Sequence, residues 1–175
     1  MQIFKSHHSF TYLLNRVSNK IVFTIWGHNK PWLTPKAIRF IDRYFKSINY
    51  SGQLFEWGSG NSTIWFAKRN YTVVSIENSV GWHNKILKKS DRENINNIKL
   101  ILINDNPELY VNEIRKYPDL FFDCIVVDGI ERVKCAFEAI SKLKNGGVLI
   151  IDDIHRYLSI KTNAALFQHA FGLAI

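Results

Sequence analysis

Phe55-Glu56-Trp57-Gly58-Ser59-Gly60-Asn61-Ser62-Thr63 places two glycines one residue apart directly after an apolar run. Such a pair lets the backbone turn tightly and approach a bound molecule, and Ser62 or Thr63 can begin a helix. Outward from this point the same alternation recurs. Residues 53–57, 72–76, 99–103, 123–127 and 147–151 are short runs rich in Ile, Val, Leu or Phe, too continuous to alternate in and out, as expected of strands buried on both faces. Residues 62–69, 81–89, 107–115 and 132–142 between them are compatible with helices, with Val133, Phe137 and Ile140 at helical spacing and Asn145-Gly146-Gly147 as a stop. The pattern predicts an α/β, Rossmann-like, doubly wound and mainly parallel sheet flanked by helices. Upstream, Thr34-Pro35 reads as a cap and first helical position, and Ile38, Ile41 and Phe45 give the following helix one apolar face.

Composition agrees with a single domain of 175 residues, divided for description into a basic aromatic N-terminal segment with its lead-in helix, 1–50, and a ligand-binding body, 51–175. With 46% hydrophobic and 22% charged residues the chain is globular rather than disordered or fibrous. Its formal charge of +8 is concentrated at one end: residues 1–50 hold eight basic residues against the single acid Asp42, and the remainder is near neutral. That segment, interleaved with aromatic residues, reads either as a solvated face that aids solubility or as a surface for an anionic partner such as a membrane, in peripheral contact, or an acidic glycan, and no nucleic-acid-binding motif accompanies it. No apolar run reaches the roughly 20 residues that span a bilayer. The absence of signal-peptide features and the reading of Cys124 and Cys135 as buried thiols predict a cytoplasmic protein.

Ligands of a parallel sheet lie beyond the carboxyl ends of its strands. Glu77, 21 residues after Glu56, ends the second run, where an acid can accept both hydroxyls of a ribose. The charge of Glu56 separates the candidate nucleosides. A dinucleotide sets its pyrophosphate at the glycine turn, where a carboxylate repels it, whereas the sulfonium and ammonium of S-adenosylmethionine are favoured there. Thr63, standing where the dinucleotide fingerprint has its third glycine, also points away from NAD. Glu77 as a plain strand-end acid, Asn104-Asp105-Asn106-Pro107 as an ordinary helix-initiating turn, and Trp57 and Trp65 as packing residues remain the simpler alternatives.

Glu56-x-Gly58-x-Gly60, Glu77, Asp123-Cys124-Ile125-Val126-Val127-Asp128-Gly129 and Gly146-Gly147-Val148-Leu149-Ile150-Ile151-Asp152 resemble, in order, the motifs of class I S-adenosylmethionine-dependent methyltransferases. The resemblance implies that Glu56, Gly58 and Gly60 line the methionine end of S-adenosylmethionine, that Glu77 holds its ribose, that Asp105 lies near its adenine and that Asp128 faces the transferred methyl, with Ser59, Asn61, Ser62 and Asn78 also in the cofactor site. It also implies methyl transfer to oxygen or nitrogen of a small-molecule or glycan acceptor.

Asp128 and His155 are the candidate catalytic groups for removing an acceptor proton. Asp128, Asp152 and Asp153, at the ends of the fourth and fifth runs, are candidate ligands for Mg²⁺, similar to the arrangement in metal-dependent catechol-type O-methyltransferases, which carry Asp then Asn where this chain has Asp152-Asp153. Arg132 is placed to pair with Asp128 or to bind an acidic acceptor. The methyltransferase sheet carries two further strands after the fifth, and residues 154–175 read instead as one helix over 163–171. A fragment, a homo-oligomer completing the sheet, or an edge covered by the N-terminal segment would each account for this. The rival reading is a degenerate, non-catalytic nucleoside-binding or interaction module acting through the basic N-terminal segment.

Overall fold

The computed structural model describes residue 31, residues 35–47, residue 49 and residues 51–153. Helix α1 spans Pro35–Ser47, followed by β1 Gly52–Trp57, α2 Asn61–Ala67, β2 Tyr71–Glu77, α3 Val80–Arg92, β3 Ile98–Leu102, α4 Pro107–Asn112, a 3-10 turn Glu113–Lys116, β4 Phe122–Val127, α5 Arg132–Lys142 and β5 Leu143–Ile151. The strands form one sheet in the order β3-β2-β1-β4-β5, every neighbouring pair parallel. The order reverses between β1 and β4, which makes the carboxyl end of β1 the switch point where a crevice opens.

Strand parity distributes the core to the two faces of the sheet. Phe55, Trp57, Val74 and Ile76 face the layer of α4, the 3-10 turn and α5, meeting Tyr110, Ile114, Cys135 and Ala139. Leu54, Val73, Cys124 and Val126 face α1 and α2, meeting Ile41, Phe45, Trp65 and Phe66. Helix α1 is therefore part of the same core as the sheet, with the apolar face expected of it. Tyr44 Oη also donates to the Asp123 carbonyl at 3.1 Å, and Arg69 Nε reaches Asp42 at 3.0 Å. Trp57 and Trp65 are buried packing residues, and both cysteines are buried and free.

Most boundaries shift from the sequence reading by one to three residues, and two of the changes bear on the core. The helix expected over 107–115 ends at Asn112 and tightens into the 3-10 turn, which carries Ile114 into the core. The fifth strand begins at Leu143 rather than 147, because Leu143 pairs with Phe122 immediately after α5; an irregularity then separates this pair from Cys124–Val148. Among the described residues no helix is long and apolar enough to cross a membrane. Residues 154–175, with the expected final helix and the question of further strands, and most of the basic segment 1–34 lie outside the described residues.

Candidate functional site

The sheet hydrogen bonding continues one residue past several strands, so the loop starts line up. The Gly58 amide donates to the Ile76 carbonyl, Asp128 to Trp57, Asp152 to Val127 and Ile103 to Glu77, all at 2.8–3.0 Å. Gly58 has φ +93°, and a Cβ there would lie 2.7 Å from the Gly129 nitrogen and 2.8 Å from the Asp128 carbonyl carbon. The first glycine thus serves both a left-handed turn and a close approach between the loops after β1 and β4. On the other side of this contact a Cβ on Gly129 would fall 1.9 Å from Tyr110 Oη.

Glu56 and Glu77 take different positions around the turn. Glu56 shares strand parity with Leu54 and faces α2, fully buried, rather than opening at the mouth of the crevice. Its Oε1 accepts from Ser62 Oγ at 2.5 Å, and its Oε2 from Thr63 Oγ1 and from Ser75 Oγ at 2.9 Å; Ser75 is its register partner on β2. Burial pushes its carboxyl up to about 7, against the lowering effect of the three hydroxyl donors, and Glu77 adds to the rise. Thr63 Oγ1 also accepts the Gly60 amide at 2.9 Å, so Thr63 fastens the turn to the start of α2.

Glu77 is 4% exposed and accepts four hydrogen bonds from the loops. Its Oε2 takes the amide and the hydroxyl of Ser59, at 2.7 and 2.8 Å, and its Oε1 takes the amides of Asn78 and Ser79, at 3.0 and 2.7 Å. Four donors match the acceptor capacity of a carboxylate. Asn61 Oδ1 accepts from Lys89 Nζ at 3.1 Å, linking the second half of the turn to α3.

Across the crevice, Arg132 gathers the ends of β4 and β5. It donates to the carbonyls of Gly129, Asp128 and Asp152 at 2.9, 2.9 and 2.5 Å and to Asp128 Oδ1 at 2.9 Å; its Nη1 lies 3.6 Å from Asp152 Oδ2. Burial and the adjacent Asp152 push the Asp128 carboxyl up to about 8, with Arg132 opposing. Among the described residues no group of three or more His, Cys, Asp or Glu side chains is arranged to hold a metal ion. Asp128, Asp152 and Asp153 therefore do not fit Mg²⁺ as a set: the positive charge between the first two is the Arg132 guanidinium. His155 lies outside the described residues.

Asp105 is exposed and borders a groove of about 750 Å³ with Val111, Arg115, Lys134 and Phe137, whose lining includes none of residues 58–62. Its neighbour Asn106 caps α4 through the Leu109 amide at 2.8 Å, so this segment does form a helix-initiating turn. Ser75 and Tyr110 are site-supporting residues that sequence reading did not single out. The parity of Ser75 with Glu77 on β2 was a usable signal, whereas nothing local to Tyr110 announces its position under Gly129.

No family model matches the chain, and no curated protein does. Solved structures do. A methyltransferase-like protein from Silicibacter pomeroyi DSS-3 superposes with a TM-score of 0.57 at 17% identity, over 81% of this chain and 80% of that one. Precorrin 8w decarboxylase from Methanobacterium thermoautotrophicum gives 0.54 at 19% identity, over 77% and 73%. MccD protein gives 0.51 at 19%, over 82% and 72%. Of two further matched structures the chain spans only 60% and 34% of the length. With its five parallel strands in the order β3-β2-β1-β4-β5 and a glycine turn at the switch point, the chain has the Rossmann-like fold of class I S-adenosylmethionine-dependent methyltransferases.

Proposed function

We propose that the protein is an S-adenosylmethionine-dependent methyltransferase acting on oxygen or nitrogen of a small-molecule or glycan acceptor. The observation that carries this reading is the pair of acids around one glycine turn, Glu56 beneath it and Glu77 behind it, with no lysine or arginine paired to either among the described residues. Such a turn is hostile to a pyrophosphate and favourable to a cationic nucleoside. In this reading Gly58 to Ser62 line the methionine end. Rotation of the Ser59 hydroxyl away from Glu77 frees an acceptor direction for a ribose hydroxyl, with Asn78 alongside.

The chemistry asks little of the protein beyond alignment. The acceptor lone pair attacks the methyl carbon in line, the carbon–sulfur bond breaks, and sulfur keeps the electron pair. Asp128, part-exposed at the end of β4, takes the acceptor proton in its ionised form, which Arg132 favours; a carboxylate whose carboxyl is raised to about 8 is a stronger base for a hydroxyl or amine than an ordinary one. His155 is the second candidate for that role. No step is assigned to a metal.

Calorimetric titration with S-adenosylmethionine, S-adenosylhomocysteine and NAD tests the reading. Binding of the first two and not of NAD, unchanged by Mg²⁺, is expected. Preference for NAD, or failure of a folded protein to bind either sulfur nucleoside, overturns it.

A further inference from the structure

We infer that Glu56 and Ser62 form a proton-carrying pair beneath the glycine turn, and that a cationic ligand bound at that turn expels the proton to solvent. The inference rests on the functional reading above and adds how the site senses charge. The two oxygens of Glu56 are not equivalent. Oε2 is met by Thr63 Oγ1 and Ser75 Oγ. Thr63 Oγ1 already accepts the Gly60 amide, which directs its own proton to Oε2. Oε2 is thereby an acceptor. Oε1 is met by Ser62 Oγ alone, and a serine hydroxyl can rotate between donating and accepting. A proton on Oε1 is donated to Ser62 Oγ; once it leaves, Ser62 turns its own hydrogen back to Oε1. Ser62 is part-exposed in the first turn of α2, so its hydroxyl connects the buried acid to the crevice.

The charges around Glu56 all favour the protonated form. Glu77 faces it from β2 and Asp128 from the end of β4. Cys124 on β4 and Tyr110 on α4, which also sense it, are held neutral by burial. The hydrogen-bond partners contributed by α2 are hydroxyls, and no lysine, arginine or histidine pairs with Glu56 among the described residues. A buried carboxylate without a cation is costly, in keeping with its carboxyl being raised to about 7. The sulfonium and ammonium of the ligand supply the missing positive charge and stabilise the ionised form. The proton then departs through Ser62 to the buffer.

Two measurements test this. In the ligand-free protein with ¹³C-labelled glutamate, one side-chain carboxyl resonance should titrate near neutrality, vanish in Glu56→Gln, and move to higher pH in Ser62→Ala, which loses a donor to the carboxylate. Titration of every glutamate below about pH 5.5, or a midpoint unmoved in Ser62→Ala, overturns the proposal. In calorimetry with S-adenosylmethionine at neutral pH, buffers of different ionisation enthalpy should report release of about half a proton per ligand, and the Kd should weaken about fivefold over the next unit of acidification. Both effects should disappear in Glu56→Gln and persist in Glu138→Gln, whose carboxylate pairs with Arg115 outside the site. Tight binding with buffer-independent heat overturns the proton linkage and leaves the functional reading standing. Absence of binding removes the functional reading and the ligand half of the proposal with it.

Discussion

Ser59 and Glu77, 18 residues apart, are joined twice: the amide and the hydroxyl of Ser59 both donate to Glu77 Oε2, while Glu77 Oε1 holds the amides of Asn78 and Ser79. One buried carboxylate thus fixes the loops after β1 and β2 against each other, and any role it has toward a ribose is superimposed on that structural one. Glu77→Ala should leave one buried and two part-buried backbone amides without their acceptor and destabilise the protein by about 3 kcal/mol. Ser59→Ala, which keeps the amide bond, should cost about 1 kcal/mol. Urea unfolding measures both. A Glu77→Ala protein as stable as the wild type would mean the loops are held by something else.

Gly129 and Tyr110 form a second tight contact. Gly129→Ala should destabilise by about 1–3 kcal/mol, because the new Cβ meets the tyrosine hydroxyl. The nearest atom is that oxygen, at 1.9 Å from the built position, with the ring carbon that bears it at 3.1 Å. Tyr110→Phe should therefore recover part of the loss, giving a favourable coupling in a double-mutant cycle. Gly58→Ala, whose Cβ would meet backbone at a positive φ, should show no such rescue.

Arg132 makes a forked contact that a lysine cannot reproduce. Arg132→Lys should recover only a minor part of the roughly 2–3 kcal/mol lost in Arg132→Ala, since three carbonyls and the Asp128 carboxylate share the guanidinium. In the functional reading both variants should reduce kcat more than the affinity for S-adenosylmethionine. An unaltered kcat in Arg132→Ala would remove Arg132 as the residue positioning Asp128.

Stability should fall as the pH rises from about 5 to 8. Glu56 and Asp128 are raised in the folded protein, to about 7 and about 8, so the native state binds more protons than the unfolded chain over that window. Their contribution is fully present below the ordinary carboxyl range and is lost as pH climbs through the raised values, with a slope of at most ~1.4 kcal/mol per pH unit for each group. Thermal unfolding across this range should flatten in Glu56→Gln and in Asp128→Asn. A rising profile would contradict both shifts.

Phe45 of α1 packs on Trp65, Phe66 and Tyr71, with ring centroids 6.3, 5.7 and 4.2 Å away. Phe45→Ala should cost about 3–5 kcal/mol, which chemical denaturation would read directly. A cost below 1 kcal/mol would show α1 to be an appendage rather than part of the core.

The architecture was legible because it depends on local periodicity. Continuous runs of five apolar residues between amphipathic stretches, and a Gly-x-Gly between the first strand and the helix after it, specify a parallel sheet with a glycine turn at the carboxyl end of its first strand. The same is true of α1, whose Ile38, Ile41 and Phe45 mark a buried face within a single helix. Glu56, Gly58 and Glu77 could be singled out for the same reason: each sits at a strand end that the pattern defines.

What each of these residues touches was not legible. Glu56 meets Ser75 because β1 and β2 pair in one particular register, and it lies beneath the turn because its parity points it at α2. Asp128, Asp152 and Asp153 read as a candidate metal set, and only the fold shows Arg132 of α5 set against the first two. Asp105 reads equally as an adenine contact or as part of a helix-initiating turn, and only the folded chain shows it exposed beside the Asn106 cap of α4. Spacing along the chain specifies elements and their order, since backbone periodicity is local. Register, depth of burial and the facing of polar groups arise from packing between segments distant in sequence, and those set the charge state of Glu56 and Asp128.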